Sequence, residues 1–324
     1  MNSISRGQLC AMLLITDIFG LFCLSGSISL NTLWGYLAAA ALQFLAALVC
    51  AAGDGELKMG AKLFLAGYSV FCGGVIFSEL WRTGQEVYIP WEKGVTGRLM
   101  TAGLIAAVCI YIASAGLRAV GRAAVIAAAA GVLLLCTDLL SALLSADLGN
   151  IWLPERRSTA RELLRGFAAS GSFGSLAVLL GKVRGDRGKA VVLYFAVRTA
   201  VSAAALTTAL AVAGGIAEMT DFPVMTAAQL SQPFEAQRID SLFMVVFSAS
   251  AVFAAELQTM TAVLLMEELF PKLKFRCGIA AAAMIAAALV IWGRELMLLR
   301  GAGAAAVLMA GAAGKKISAA KNSG

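Results

Sequence analysis

The sequence contains no histidine, and charged residues are scarce. Only 14% of the 324 residues are charged, whereas 60% are hydrophobic and the mean hydropathy is +0.85. A soluble domain is closer to half apolar and a quarter charged. Without histidine the chain has no imidazole for acid–base catalysis, metal binding or pH sensing. These absences indicate a protein of the lipid bilayer and argue against an enzyme of the histidine-dependent classes.

Proline is also rare, and its five positions help to place the hydrophobic segments. Apolar runs of roughly 20 residues, the length that crosses a bilayer core, recur along the chain. Because the runs are continuous and do not alternate, they predict membrane helices. All five prolines fall between the runs, where a missing N–H is tolerated. The sequence predicts ten spans, at about 8–26, 30–52, 60–81, 99–117, 120–145, 163–181, 190–213, 241–266, 276–293 and 297–314.

We expect these spans to form one polytopic transmembrane domain over residues 1–324, with a cytoplasmic tail at 315–324. Cytoplasmic connections carry an excess of lysine and arginine. More than half of the 26 basic residues fall in connections that are cytoplasmic if the N-terminus is. The run GKVRGDRGK, residues 181–189, is the most basic of them. We therefore predict a multi-pass membrane protein with both termini in the cytoplasm.

Catalytic and metal-binding motifs are missing from the sequence. The seven cysteines lie almost all within spans and lack the spacing of disulfide or metal motifs, which is typical of small core residues. The chain has no nucleophile elbow and no glycine-rich phosphate loop followed by lysine. We expect no enzyme activity, no metal site and no cofactor.

The stretch GFAASGSFGS, residues 166–175, interrupts the sixth span with small residues. If the spans form two inverted repeats, at about 8–145 and 163–314, the sixth span is the counterpart of the first. Transporters of this kind bind ligands near the midplane, where both helices are broken. Glycine tolerates non-helical backbone and serine offers hydrogen bonds. We predict a five-plus-five inverted repeat with broken first and sixth helices. Close helix packing through Gly171 and Ser175 is the alternative.

Ionisable residues within spans are costly and usually face the bundle interior or water. Asp17 and Glu256 lie nearest the middle of their spans and could hold an ammonium group, a coupling cation or a proton. Glu79 and Asp138 lie toward span ends, near interfacial water. Arg198 either reaches toward the interface or pairs with one of the acids. The predicted ligand-binding residues are Thr16, Asp17, Gly20, Ser170, Gly171, Ser172, Gly174, Ser248, Ser250 and Glu256.

The segment DFPVMTAAQLSQPFEAQRIDSLFMVVF, residues 221–247, combines an aromatic–proline pair, an amphipathic turn and an Arg-x-Asp element that enters a hydrophobic helix. These elements are Phe222 and Pro223, then Arg238 and Asp240, which either anchor an outer lid or are ordinary interfacial anchors. The link GLRAVGRAAVI contains Gly116 and Arg122, and the opening ISRGQLCAMLL contains Ser5 and Gln8. Together these stretches resemble the spore germination permeases, the B subunits of nutrient germinant receptors.

The chain also departs from that family. The segment LSGSISLNTLWGY after the first span is shorter than usual and lacks the family's proline and Gly-Asp turn. Glu256 stands in the eighth span, where the family often has a lysine. The ligand pocket is therefore expected to differ from that of relatives.

The resemblance implies a LeuT-type fold of the amino acid–polyamine–organocation superfamily and residence in a bacterial cell membrane, the inner membrane of the spore. It also implies assembly with germinant receptor A and C subunits, and sensing of an amino acid or similar small nutrient. Two other functions remain open. Asp17 and Glu256 also suit a proton-coupled amino acid transporter, and the short loop after the first span suits a scaffold or ion conduit with a vestigial pocket.

Overall fold

The computed structural model describes residues 3–24, 26–52, 57–83, 95–142, 146–152, 158–214, 222–230, 240–291, 303–304 and 306–307. This part of the chain is α-helical, and its β-structure is a single bridge between Ile4 and Val183. The helices are α1 (Arg6–Phe22), α2 (Leu30–Ala52), α3 (Met59–Thr83), α4 (Val95–Ala115), α5 (Leu117–Ala142), α6 (Thr159–Ala169), α7 (Phe173–Leu179), α8 (Arg187–Ala213), α9 (Pro223–Leu230), α10 (Asp240–Leu269) and α11 (Arg276–Ile291).

Six of the described helices, α2, α3, α4, α5, α8 and α10, are long and apolar enough to cross a membrane. The bent pair of α6 and α7 is a seventh candidate. Two shorter helices, α1 with 17 residues and α11 with 16, match the predicted first and ninth spans. The protein is therefore an all-α, multi-pass membrane protein. The tenth predicted span lies almost wholly outside the described residues, so the ten-span LeuT arrangement remains a prediction.

Side-chain hydrogen bonds explain where α1 begins, and a glycine explains the junction between α4 and α5. The Ser5 side chain accepts a hydrogen bond from the Gln8 backbone N–H, and the Gln8 side chain accepts one from the Ser5 N–H. This reciprocal capping box satisfies N–H groups at the start of α1. Gly116 separates α4 from α5 with a φ of +88°, a left-handed conformation that glycine adopts without strain.

α1 lies inside the bundle, and every residue from Leu9 to Phe22 is buried. It packs against α5, α8 and α10, while α10 also packs along α3 and α2 packs against α6 and α8. Large apolar side chains on the outer faces of α2, α4 and α5, such as Leu45, Leu104 and Ile126, are exposed. Such faces suit contact with lipid, because the bundle keeps its polar groups inside.

One end of the bundle gathers the N-terminal segment and several basic connections. The Ile4 N–H donates to the Lys182 carbonyl at 3.0 Å, and the Arg184 N–H donates to the Ile4 carbonyl at 2.9 Å. Glu268 forms ion pairs with Lys62 at 2.9 Å and with Lys182 at 3.4 Å. These segments were all predicted to lie on one side of the membrane, and the structure brings them to one end. Which side of the membrane this end faces remains a prediction.

The first span has no break at Asp17 or Gly20, two of the three residues at which it was predicted, the third being Gly26. α1 is continuous from Arg6 to Phe22, through Asp17 and Gly20, and its C-cap is Cys23. A helix breaks where residues give up their i to i−4 hydrogen bonds, which a single glycine among apolar residues does not require. α1 therefore presents the Asp17 side chain to the interior of the bundle, while its backbone N–H and C=O groups stay hydrogen-bonded within the helix.

Candidate functional site

The sixth span is interrupted within its glycine- and serine-rich stretch. α6 ends at Ala169 and α7 begins at Phe173, and the two are bent by 48°. Ser170 at the end of α6 has left the helical region, with φ −91° and ψ 61°. Its hydroxyl donates to the Gly166 carbonyl at 3.0 Å and so satisfies an acceptor that the helix end leaves open. The predicted interruption of this span is therefore present.

A buried ion pair faces the break. The Arg198 Nε lies 3.4 Å from the Asp17 Oδ2, and the two side chains are 0% and 1% exposed. Ser172, within the break, donates to Asp17 Oδ1 at 2.7 Å, and the Tyr194 hydroxyl donates to Oδ2 at 2.5 Å. A buried carboxylate is tolerated when a cation and hydrogen-bond donors surround it in this way. Of the two alternatives for Arg198, the internal ion pair is the one that the structure shows.

Arg198 joins helices that are distant in sequence. One of its terminal nitrogens donates to the Gln43 Oε1 of α2 at 2.7 Å, and the other donates to the Ser170 hydroxyl. Its guanidinium carbon lies 5.5 Å from the centroid of the Tyr36 ring, within the range of a cation–π contact. The planar, forked guanidinium makes several such contacts at once. We call the set of Asp17, Gln43, Ser170, Ser172, Tyr194 and Arg198 the Asp17–Arg198 cluster.

A side chain of α10 contacts the break on the side opposite to Arg198. The Gln258 Nε2 donates to the Gly171 carbonyl at 2.9 Å, and its Oε1 accepts from the Ser175 hydroxyl at 3.5 Å. A buried backbone carbonyl that is released from a helix needs another donor. Gln258 supplies this donor, so the break is held between α8 and α10.

Other predicted residues near the break have structural roles. A Cβ atom on Gly20 would lie 2.5 Å from the Ala169 carbonyl oxygen, so the absence of a side chain lets α1 approach the end of α6. Thr16 donates to the Met12 carbonyl of its own helix at 3.1 Å. Gly174 lies against the Tyr68 ring, where a Cβ atom would come within 2.9 Å of a ring carbon.

The three predicted residues of α10 do not join the Asp17–Arg198 cluster. Ser250 donates to the Phe247 carbonyl of its own helix at 2.7 Å, and Ser248 is half-buried. Glu256 is fully buried and interacts with the Cys109 thiol of α4. Two residues along a helix differ by about 200° in direction, so Glu256 and Gln258 point to nearly opposite sides of α10. Because Gln258 contacts the break, Glu256 points away from it.

The predicted outer anchor is described only in part. Phe222 is buried, and the Arg82 guanidinium carbon lies 5.3 Å from the centroid of its ring. Pro223 is the first residue of α9, a position that suits proline because no N–H is needed there. Arg238 lies outside the described residues, as does the side chain of Asp240, the first residue of α10. Their proposed role as a lid or anchor remains a prediction.

Sequence reasoning missed four residues of the site, namely Gln43, Gln258, Tyr36 and Tyr194. The signal that could have found the first two is a lone amide within an apolar span, since a buried amide needs polar partners. The two tyrosines carry a weaker signal, because tyrosine is also common at membrane interfaces. Their role depends on which helices contact Arg198, and this cannot be deduced from the sequence.

No protein-family model matches the chain, and no curated protein matches it either. Fold and site together define its class: a multi-pass α-helical membrane protein with a charged, hydrogen-bonded cluster at the break of one membrane helix. The cluster pairs one anion and one cation with three hydroxyl groups and one amide.

Proposed function

We propose that this protein binds a small zwitterionic nutrient, such as an amino acid, at the Asp17–Arg198 cluster. The observation that carries the proposal is the meeting of Asp17 and Arg198 at the non-helical residues 170–172. An α-amino acid has an ammonium group that matches Asp17 and a carboxylate that matches Arg198. In this conformation the two side chains satisfy each other, and a zwitterion would take the place of each partner.

A spare hydrogen-bond donor at the cluster supports this proposal. The Gln43 Nε2 is buried and has no hydrogen-bond partner among the described residues, while its Oε1 accepts from Arg198. Buried donors of this kind are uncommon in native proteins and call for an explanation. A ligand carboxylate held by Arg198 would supply the missing acceptor.

Binding requires the cluster to open, because Asp17, Ser170, Ser172 and Arg198 are all buried. A ligand shifts a protein between two conformations only if it binds them with different affinities. A ligand that separates Asp17 from Arg198 meets this condition, since it makes contacts that the closed state cannot offer. We propose that this change is passed to partner subunits, as in the A, B and C assembly of germinant receptors in the spore inner membrane that the family resemblance implies.

The test is ligand-dependent thermal stabilisation of the purified protein in lipid nanodiscs. A panel of amino acids is compared with the amine and the carboxylic acid that match each hit. We expect stabilisation by amino acids and not by either half-molecule. Asp17→Asn and Arg198→Gln are each expected to weaken binding by about tenfold or more, as the loss of a charged hydrogen bond predicts. The double variant, Asp17→Asn with Arg198→Gln, removes both charges, so that no unpaired charge remains buried.

Arg276→Gln is the matched control, because Arg276 pairs with Glu267 at 3.2 Å at the exposed end of α10. Equal affinity in this control and in Asp17→Asn would refute the proposed site. Stabilisation by the amine alone would show that Arg198 has no role in recognition.

A proton-coupled amino acid transporter is the second candidate. The fully buried Glu256, which has no cationic partner in the described part of the chain, favours it. Uptake of a labelled amino acid into proteoliposomes, with and without a proton gradient, separates the two functions. Uptake that depends on the gradient and disappears in Asp17→Asn would replace the receptor proposal. Binding without uptake would retain it.

A further inference from the structure

Glu256 is a second buried acid that the Asp17–Arg198 cluster does not use. Its side chain is fully buried, and neither carboxyl oxygen has a hydrogen-bond partner among the described residues. The other two buried acids of the described helices are paired, Asp17 with Arg198 and Glu162 with Arg165. An ionised carboxylate is strongly disfavoured in a low-dielectric interior that offers it no cation. The surroundings of Glu256 therefore suit a neutral carboxylic acid.

The short-range interaction of Glu256 that the structure shows is with an uncharged group, the Cys109 thiol of α4. Cys277 of α11 interacts with the carboxyl group only electrostatically. Thr259, about one turn farther along α10, donates its hydroxyl to the Ala255 carbonyl at 2.9 Å. From α3 and α1, which also pack on α10, the buried titratable side chains include Cys72 and Asp17, and Asp17 is already held by Arg198. α7 contributes no titratable residue, and the described titratable side chains of α5, which are Arg118, Arg122 and Cys136, do not interact with Glu256.

These neighbours favour a proton over a metal cation as the occupant. Hard cations need several oxygen ligands, whereas the side chain that interacts with the Glu256 carboxyl group is a thiol. Across the described ranges, no three histidine, cysteine or acidic side chains gather at a metal-binding distance. A proton needs only the carboxyl group itself.

We propose that Glu256 and its neighbour Cys109 form a proton-binding site that is loaded in this conformation. When hydroxide reaches the carboxylic acid at alkaline pH, the O–H bond breaks and the electron pair stays on the carboxylate. The proton passes to the hydroxide ion, which becomes water. The site is separate from the Asp17–Arg198 cluster, and it does not depend on ligand binding there.

Infrared spectroscopy of the protein in lipid nanodiscs tests this proposal, because a protonated carboxylic acid has its own carbonyl-stretch band. At neutral pH we expect such a band in the wild-type protein and its loss in Glu256→Gln. We expect Cys109→Ala to shift the frequency of the band, since the thiol lies against the carboxyl group. Titration toward alkaline pH should remove the band in the wild-type protein.

Glu267→Gln is the matched control, because this acid lies on the same helix but pairs with Arg276 near the exposed end. The band should persist in this variant. A wild-type spectrum without a protonated carboxyl band at neutral pH would overturn the proposal. This measurement does not require any variant to fold. A band that survives in Glu256→Gln would assign the proton to another residue and overturn it as well.

Discussion

At the residue scale, the contact between α1 and the end of α6 depends on a missing side chain. The Ala169 carbonyl occupies the space where a Cβ atom on Gly20 would lie, at 2.5 Å. Backbone atoms cannot turn aside as a flexible side chain can, so any added atom has to push the two helices apart. The position of Asp17, one turn earlier on α1, depends on the same contact.

Gly20→Ala is therefore expected to destabilise the protein by about 1–3 kcal/mol, the usual cost of overpacking a close contact. Gly7→Ala is the matched control on the same helix, because nothing lies within 4 Å of its Cβ position. Alanine there should be neutral or stabilise the helix by up to about 1 kcal/mol. Thermal unfolding in detergent compares the two variants. Equal unfolding temperatures would contradict the close contact.

At the scale of the element, the two halves of the sixth span have different main partners. α6 packs mainly against α2 and also contacts α1, whereas α7 packs most against α10 and also contacts α1, α2 and α3. Residues 170–172 connect the two halves and are held by Arg198 on one side and Gln258 on the other. A relative motion of the two halves would be absorbed at these residues, where helical hydrogen bonds are already absent.

Gln258→Leu removes the donor to the Gly171 carbonyl and should loosen the break. A buried hydrogen bond contributes about 1 kcal/mol, which predicts roughly fivefold to tenfold faster hydrogen exchange in the peptide that covers residues 170–175. Thr261→Val is the control, since within the described part of the chain its hydroxyl donates only to the Leu257 carbonyl of its own helix, at 2.7 Å. Unchanged exchange in Gln258→Leu, measured by mass spectrometry, would show that this donor does not hold the break.

The sequence predicted helices better than it predicted their partners. Continuous apolar runs placed the membrane helices, and the glycine and serine residues of 166–175 placed the break, because both are local properties of the backbone. The sequence also predicted that Asp17, Ser170 and Ser172 belong to one site. It did not predict that α1 is continuous or that Glu256 lies apart from the Asp17–Arg198 cluster, because both depend on which faces of distant helices meet.

At the scale of the whole molecule, contacts assign the connections to two ends of the bundle. Ser3 and Lys62 lie at the end that contains residues 182–184 and Glu268. At the other end the Asn150 side chain donates to the Ala211 carbonyl at 3.0 Å. Arg165 donates to the Ser27 carbonyl there at 2.9 Å. Each end therefore collects connections from both halves of the chain, as an antiparallel bundle requires.

This division predicts which engineered cysteines share a side of the membrane. In a variant that lacks the native cysteines, Asp186→Cys and Leu273→Cys should react with a membrane-impermeant maleimide from one side, and Leu148→Cys from the other. The basic connections predict that the shared side is the cytoplasm. Labelling of intact cells and of inverted vesicles measures this. Reaction of Asp186→Cys and Leu273→Cys from opposite sides would contradict the fold, and reaction of both from outside would reverse the orientation.

The Asp17–Arg198 pair also constrains how the protein is made. Asp17 enters the membrane with the first helix, whereas Arg198 belongs to the seventh span in the chain order. At roughly 5–20 residues per second, the ribosome adds Arg198 about ten to forty seconds after Asp17. During that interval a lone carboxylate in lipid is unfavourable. The first helix must therefore wait at the insertion machinery, at the membrane surface or in protonated form until its counter-ion is synthesised.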